Sequence, residues 1–462
     1  MIVSGRVPPH RPGPLRAGLL IGLALALSTT QAQPLDALDA ANPDHPSHPP
    51  PALALPAAGD TGPSAPPGDI AQARAIWQRA NQRVAEFPRG HIDLLRWEAR
   101  QPGDAPVASD AGTAPALDFT QALRLSLRHR PELFTHADMN PLARARVQVA
   151  YAGHVRDLRR TWIDAVATRQ SERLLGEALD AARTGSELGQ RMVDAGNWSQ
   201  ARQLREQLIE ARAWQAYADA HGTALATQER LAQQLGMWDA QAARRLADQL
   251  PTSLPEPPAQ LAPGEGLSEA TLEAAVLRSD LALAQQRLQT RRDIVALVPA
   301  WRQSWNDAVD AALDALSGPD PGATPPHIDN LSLLRDHTLQ RASSAEAALL
   351  RQASERRSMA RQAWAALQLR HASARHAQDA VVALQAALAQ ETLLRYNGML
   401  QSSWELLASA RDRLASLDAA VQARRGYWLA HADWQALLAG TGYAGPDTPT
   451  TSGTGTAAAA GH

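Results

Sequence analysis

Apolar residues recur along this chain at the three-and-four spacing of helix faces, and no stretch shows the period-two alternation of a half-buried strand. The strongest signal lies between Asn330 and Gly440. There the pattern predicts two very long antiparallel helices meeting at Tyr396-Asn397-Gly398-Met399. The first arm has no proline or glycine between Leu331 and Asn397, so nothing in it forces a break, and an unbroken arm would be roughly 100 Å long at ~1.5 Å per residue. On the return arm Leu407, Leu414, Val421 and Trp428 fall seven apart, with Ala410 and Leu417 three residues on, which is a heptad seam. The seam loses its apolar character at Arg424 and His431. Alanine fills much of the rest, as in Ala363 to Ala366, and small residues let helix backbones approach closely.

An earlier stretch repeats this plan on a smaller scale. A long helix is predicted from Leu142 to Asp194, with Leu158, Trp162, Val166 and Leu174 on its apolar face. The turn Ala195-Gly196-Asn197-Trp198-Ser199 follows, then a return helix to Leu235. A short helix over Leu117 to Leu127, entered through Asp118 or Thr120, precedes this hairpin and stops before Arg130-Pro131. Ser268 to Leu316 reads as one further helix of about 50 residues, kinked at Pro299. Phe119 to Leu133, ending Arg130-Pro131-Glu132-Leu133, lies without a gap on Leu267 to Leu281, ending Arg278-Ser279-Asp280-Leu281. The chain is therefore expected to hold two repeats. The first spans 117–250 and the second 267–440, joined by a linker at 251–266 that carries five prolines.

Composition adds the flanks. Arg6, Arg11 and Arg16 precede the apolar run Ala17 to Leu27, and Thr30-Gln31-Ala32 offers a cleavage site, so residues 1–32 read as a secretory signal peptide. Residues 33–68 are expected to be a disordered Pro-rich leader, in which His45 and His48 beside Asp44 could hold a metal only weakly; no metal site is assigned. Residues 69–116 read as a short helical segment, with Ile70, Ala73, Ile76 and Trp77 on one face, and a linker; 441–462 reads as a disordered tail. The chain has 462 residues, no cysteine, and arginine as its only basic residue apart from histidine. Thiol chemistry, disulfides, lipidation on cysteine and lysine-based catalysis are thereby excluded.

These residues resemble the TolC-like outer membrane efflux protein family. The resemblance spans Leu117 to Gly440 and rests on an ordered set. It comprises the two helix ends at Arg130-Pro131-Glu132-Leu133 and Arg278-Ser279-Asp280-Leu281, and the turns Gly196-Asn197-Trp198-Ser199 and Gly398-Met399-Leu400-Gln401-Ser402. The segment Arg395 to Leu407 is the nearest match. The resemblance implies an all-α fold of long antiparallel helical hairpins, an α-barrel of coiled-coil type, assembled as a homotrimer. It implies an outer membrane component of a tripartite export system, a passive conduit for metal ions or small toxic compounds. Its turns would meet a periplasmic adaptor and, with it, an inner-membrane pump. On that analogy Gly196, Asn197, Ser199, Gly398, Gln401 and Ser402 are adaptor-contact candidates, and Glu405 and Asp412 are candidate charges at the periplasmic end.

One departure bears on function. A membrane strand needs ~9–11 residues of outward apolar alternation. At the corresponding places stand Phe134 to Pro141 and Gly318 to Asn330, short and either polar or proline-broken, so little or no β-barrel is expected. The first repeat is also truncated: 62 residues separate Leu133 from Gly196, against 116 between Leu281 and Gly398. The alternative is a soluble periplasmic scaffold without a barrel that binds partners through its helical tips. An enzyme is not expected, because no HExxH, glycine-rich phosphate loop or nucleophile triad is present; no cofactor is assigned, and His371 and His376 do not share a helix face well. Balanced charge argues against nucleic acid despite Arg356-Arg357 and Arg424-Arg425.

Overall fold

The computed structural model describes residues 37–44, 117–237, 240–264, 266–314 and 325–443. The signal peptide, His45, His48, the 69–116 segment and most of the tail lie outside them. Among the described residues every regular element is helical. In chain order these are α1 (Ala37–Ala40), α2 (Phe119–Leu127), α3 (Pro141–Asp194), α4 (Gln200–Gln234), α5 (Ala240–Gln249), α6 (Leu272–Ser279) and α7 (Leu281–Val295). They continue as α8 (Pro299–Asp314), α9 (Leu331–Arg335), α10 (His337–His376), α11 (Ala383–Asn397) and α12 (Ser403–Leu438). A π-helical turn, Ala377–Val382, joins α10 to α11 without stopping the arm.

Four arms make the body: α3 packs along α4 and α12, and α12 packs along α10 and α11. One core layer lies between α3, α4 and α12, where Leu158, Trp162, Val166, Leu231, Leu246 and Val421 are buried and Leu414, Leu417 and Trp428 pack against them. The leucines of the heptad seam thus face α3. A second layer holds Leu272, Val276, Trp364, Leu367, Tyr427, Trp434 and Leu437 between α6, α10 and α12. Arg425 crosses to Asp164 at 2.7 Å, and Arg160 bonds the buried Asp433, so α3 and α12 are also tied by charge.

Several sequence expectations change here. The helix expected over Ser268 to Leu316 is broken twice. Asp280 is extended and accepts from the Leu283 amide at 3.0 Å, so it ends α6 and caps α7. Pro299 has no N–H and pushes the residue before it out of the helical region, so the chain turns at Ala296 to Val298. The arm beginning at Asn330 is likewise not continuous, although it lacks proline and glycine. Asp336 accepts from the amides of Thr338 and Leu339 at 2.8 and 2.9 Å and starts α10 afresh. From His337 to Asn397 the arm then runs roughly 90 Å at ~1.5 Å per residue.

Part of the stretch read as a disordered leader is folded. Leu38 and Ala41 pack against Leu277, Leu283, Leu349 and Ala353, Asn42 accepts from Arg357 at 3.1 Å, and Asp44 pairs with Arg278 at 2.6 Å. At the other end Thr441 is buried and Tyr443 packs on the second core layer, although both were read as part of the tail.

The proline-rich segment 251–264 is a strap laid along the helices. Its carbonyls are taken one by one: Leu254 by Arg424 at 3.1 Å, Pro255 by the Trp428 indole at 2.8 Å, Pro258 by His371 at 2.7 Å and Pro263 by the Trp434 indole at 2.7 Å. Prolines bring no N–H to be orphaned when an extended chain is pressed onto an apolar face. Arg424, at a position where the seam loses its apolar character, also donates to Gln378 at 3.0 Å, so the interruption is an anchor for the strap.

The connection 134–140 between the 3₁₀ turn Pro131–Leu133 and α3 is irregular and carries no strand. The extra length of the second repeat is accounted for by α7, α8 and α9, with α7 lying along α10. No helix among the described residues is long and apolar enough to cross a membrane.

Candidate functional site

Both hairpin turns are Schellman-type closures, in which a left-handed residue lets an amide reach back five residues. In the first, the Asn197 N–H donates to the Met192 carbonyl at 2.8 Å and the Gly196 N–H to Val193 at 2.8 Å, with Gly196 at φ +76°. In the second, the Leu400 N–H donates to Arg395 at 2.8 Å and the Met399 N–H to Tyr396 at 2.9 Å. Here the left-handed residue is Met399, at φ +58°, while Gly398 stays at φ −81°. The two glycines therefore do not hold equivalent positions. In each turn a serine N-cap, Ser199 or Ser402, stands three residues after the left-handed position, and that spacing places Met399 opposite Gly196.

A side chain at a left-handed position costs ~1–2 kcal/mol. Met399→Gly is accordingly expected to stabilise the protein by about 1 kcal/mol, and Gly196→Ala to destabilise it by a similar amount. Urea midpoints compared at equal slope check both; a Met399→Gly midpoint at or below that of the parent would refute the strain.

Met399 and Leu400 are 85% and 79% exposed, the most exposed large apolar side chains among the described residues. An unfavourable backbone thus presents two apolar side chains to solvent. The second turn is firmly built behind them: Ser402 and Glu405 form a capping box, with the Ser402 N–H donating to the Glu405 carboxylate at 2.6 Å. Those hydrogen bonds hold the Glu405 carboxyl below its ordinary pKa. Because the folded value is depressed, this contribution is present above the unfolded carboxylate pKa and is lost as pH falls through the folded one. Glu405 is occupied as a cap, and Asp412 is exposed two turns further along α12.

The two turns lie side by side. Trp198, from the first, packs on Trp404, in the opening turn of α12, with ring centroids 4.2 Å apart. The Arg202 guanidinium covers the pair, 4.0 Å from the Trp198 ring and 5.9 Å from that of Trp404. Two glycines one helical turn apart on α3 make room for this. A Cβ on Gly189 would stand 2.2 Å from Gln203 Oε1 and 3.0 Å from the Trp198 ring, and one on Gly185 would press on Glu206 and Leu407 at 3.4 and 3.6 Å. Arg411 and Glu206, mostly buried, face each other at 3.8 Å just behind.

Of the residues singled out in the sequence, Gly196, Asn197 and Ser199 are exposed in one turn, and Gly398 and Ser402 in the other, with Gln401 half-buried beside Trp404. Gln401 Oε1 and Trp404 Nε1 are buried without a hydrogen-bond partner among the described residues. Trp198, Arg202, Trp404, Met399 and the glycine pair were not singled out. Gly185 and Gly189, four apart inside an uninterrupted helical pattern, were the available signal, since a glycine there has no propensity reason to exist. Among the described residues no group of three or more His, Asp or Glu side chains is placed to hold a metal ion.

No protein-family model matches the chain, and no curated protein does. Among solved structures, a membrane protein from Pseudomonas aeruginosa is similar at 13% identity and a TM-score of 0.42, over 69% of this chain and 74% of that one. The outer-membrane channel OprN is similar at 17% identity and a TM-score of 0.40, over 69% and 72%. The MtrE outer membrane channel of Neisseria gonorrhoeae follows at 16% and 0.36, over 70% and 71%. Two of these three are outer membrane channels.

Proposed function

We propose that this chain is a TolC-like efflux component of the cell envelope, which docks a periplasmic adaptor through its paired turns. The observation that carries the reading is the packing of Trp198 on Trp404, which makes one surface of two turns about 200 residues apart in sequence. Met399, in its strained backbone, and its neighbour Leu400, both highly exposed, give that surface apolar groups for a partner. Gly196, Asn197, Ser199, Gly398 and Ser402 form its exposed backbone rim. A flat helical or loop partner can approach glycine and serine closely, which suits contact by another bundle's tip.

In this reading the arms line a passive helical path in a homotrimer at the outer membrane, joined through the adaptor to an inner-membrane pump. The cargo class that follows from the resemblance is metal ions or small toxic compounds, moved without chemistry.

The test is photo-crosslinking in producing cells, from probes placed singly at Asn197 and Leu400. Mass spectrometry of the products is expected to identify an export-pump adaptor from both sites, and cells lacking this chain should retain the pump's cargo. If neither probe reaches an adaptor, the docking role fails. If both do but export is unchanged without this chain, it is a tip-binding scaffold and not a conduit.

A further inference from the structure

The end of the molecule away from the turns carries a second apolar surface, and we propose that it seats on a lipid surface rich in anionic headgroups. The run Ile294-Val295-Ala296-Leu297-Val298-Pro299-Ala300-Trp301 is eight residues without a charge or a polar side chain apart from the indole N–H, and it forms the corner between α7 and α8. It is not core. Val295 is 77% exposed, Val298 59%, and Trp301 and the neighbouring Leu288 stand out with them.

The corner's position is fixed by α10. Thr290 bonds the Ala345 carbonyl at 3.5 Å, Asp293 pairs with Arg341 at 3.6 Å, and Arg302 with Glu346 at 2.8 Å. It therefore sits beside the first turns of α10, roughly 80 Å along that arm from the Asn397 turn at ~1.5 Å per residue. At this end α10 has outrun α12, which stops where Gly440 meets Ser279 and Arg356 bonds the Thr441 carbonyl at 3.0 Å. The α7 and α8 corner therefore lies beyond the end of α12, with α10 beside it.

Charge chooses the occupant. Arg287, Arg291 and Arg292 precede the apolar run and Arg302 follows it, with Asp293 the sole acid from Gln285 to Arg302. Arg302 and Asp293 are each already engaged, with Glu346 and Arg341, whereas Arg291 and Arg292 are exposed and form no ion pair among the described residues. The acids of α8, Asp307, Asp310 and Asp314, come only after a further turn and more, away from the corner. A short exposed apolar loop with tryptophan at its edge and arginines behind it matches the headgroup boundary of a bilayer: the apolar tip enters, the indole sits at the interface and the guanidinium groups meet phosphates. Such seating needs no membrane-spanning element.

The experiment uses the full chain, which has no native cysteine, so Val298→Cys accepts a single environment-sensitive fluorophore. With vesicles of phosphatidylcholine and phosphatidylglycerol the label is expected to shift to the blue and the protein to float with the vesicles, less so as salt rises. Val295→Asp with Val298→Asp should reduce partitioning by at least about tenfold, and Arg291→Glu with Arg292→Glu should abolish the preference for anionic over zwitterionic vesicles. Both pairs are exposed, and circular dichroism checks that they fold. Absence of flotation by the parent, or flotation of the Asp pair at the parent level, overturns the proposal. So does a change of oligomer mass in the Asp pair with vesicle binding intact, which would make the corner an interface between copies. Adaptor crosslinking from the turns reads a different end of the chain, so the two proposals fail separately.

Discussion

Trp434→Ala is expected to destabilise the protein by about 4 kcal/mol, the range for emptying a buried large aromatic site. The side chain is fully buried, lies 5.6 Å from the Trp364 ring between centroids, and donates its indole N–H to the Pro263 carbonyl. Truncation leaves a cavity between α10 and α12 and removes the last tether of the strap. Chemical denaturation followed by circular dichroism measures the loss. Limited proteolysis should show cleavage within residues 251–264 at conditions where the parent resists. Trp434→Phe keeps most of the packing and loses mainly the hydrogen bond, so about 1 kcal/mol is expected from that component. A Trp434→Ala loss below about 1 kcal/mol would show that the strap and this layer do not hold the arms together.

The second large effect concerns charge. Glu273 is buried and accepts from Arg357 at 2.8 Å and Arg361 at 2.7 Å, while Asp280, about two turns further on at the end of α6, pairs with Arg356 at 2.5 Å. Three arginines of α10 thus zip it to α6. Glu273→Ala removes a buried carboxylate that two arginines share, one of them, Arg357, itself largely buried, and is expected to cost about 3 kcal/mol. Arg361→Ala removes a half-exposed partner and should cost less than about 1 kcal/mol. Because Arg357 also holds the Asn42 carbonyl, amide exchange in residues 38–42 should accelerate in Glu273→Ala before the rest of the protein loosens. Equal losses from the two substitutions would mean that burial of Arg357 does not set the cost.

The hairpins themselves were legible because a long helix announces itself locally. The spacing of Leu158, Trp162 and Val166, and the turn at Gly196, place α3 and α4 to within a residue or so of their observed ends. The helix end at Asp280 was marked only through the resemblance, which closes a helix at Arg278-Ser279-Asp280-Leu281, while periodicity ran across it; the break at Asp336 was not read, since an aspartate inside a helical pattern is compatible with the helix until its carboxylate finds free amides ahead of it. The strap misled in another way. Its prolines mark an extended chain correctly, but that the chain lies on Trp428 and Trp434 depends on indoles more than 160 residues away.

The candidate site divides along the same line. Gly196, Gly398 and the serine caps are local turn chemistry and appear in the sequence. That Met399 and not Gly398 takes the left-handed position, and that Trp198 meets Trp404 beneath Arg202, are outcomes of register and packing between arms. By itself the sequence determined an all-helical chain of two unequal hairpins and the places where each turns back, because helix periodicity and turn residues act over a few positions. Only the tertiary structure decided that the two turns pack side by side, that the proline segment is a strap and that Val295 and Val298 at the α7 and α8 corner are exposed. Those depend on which side chains of distant arms bury one another, and burial is a property of pairs of segments that no single segment carries.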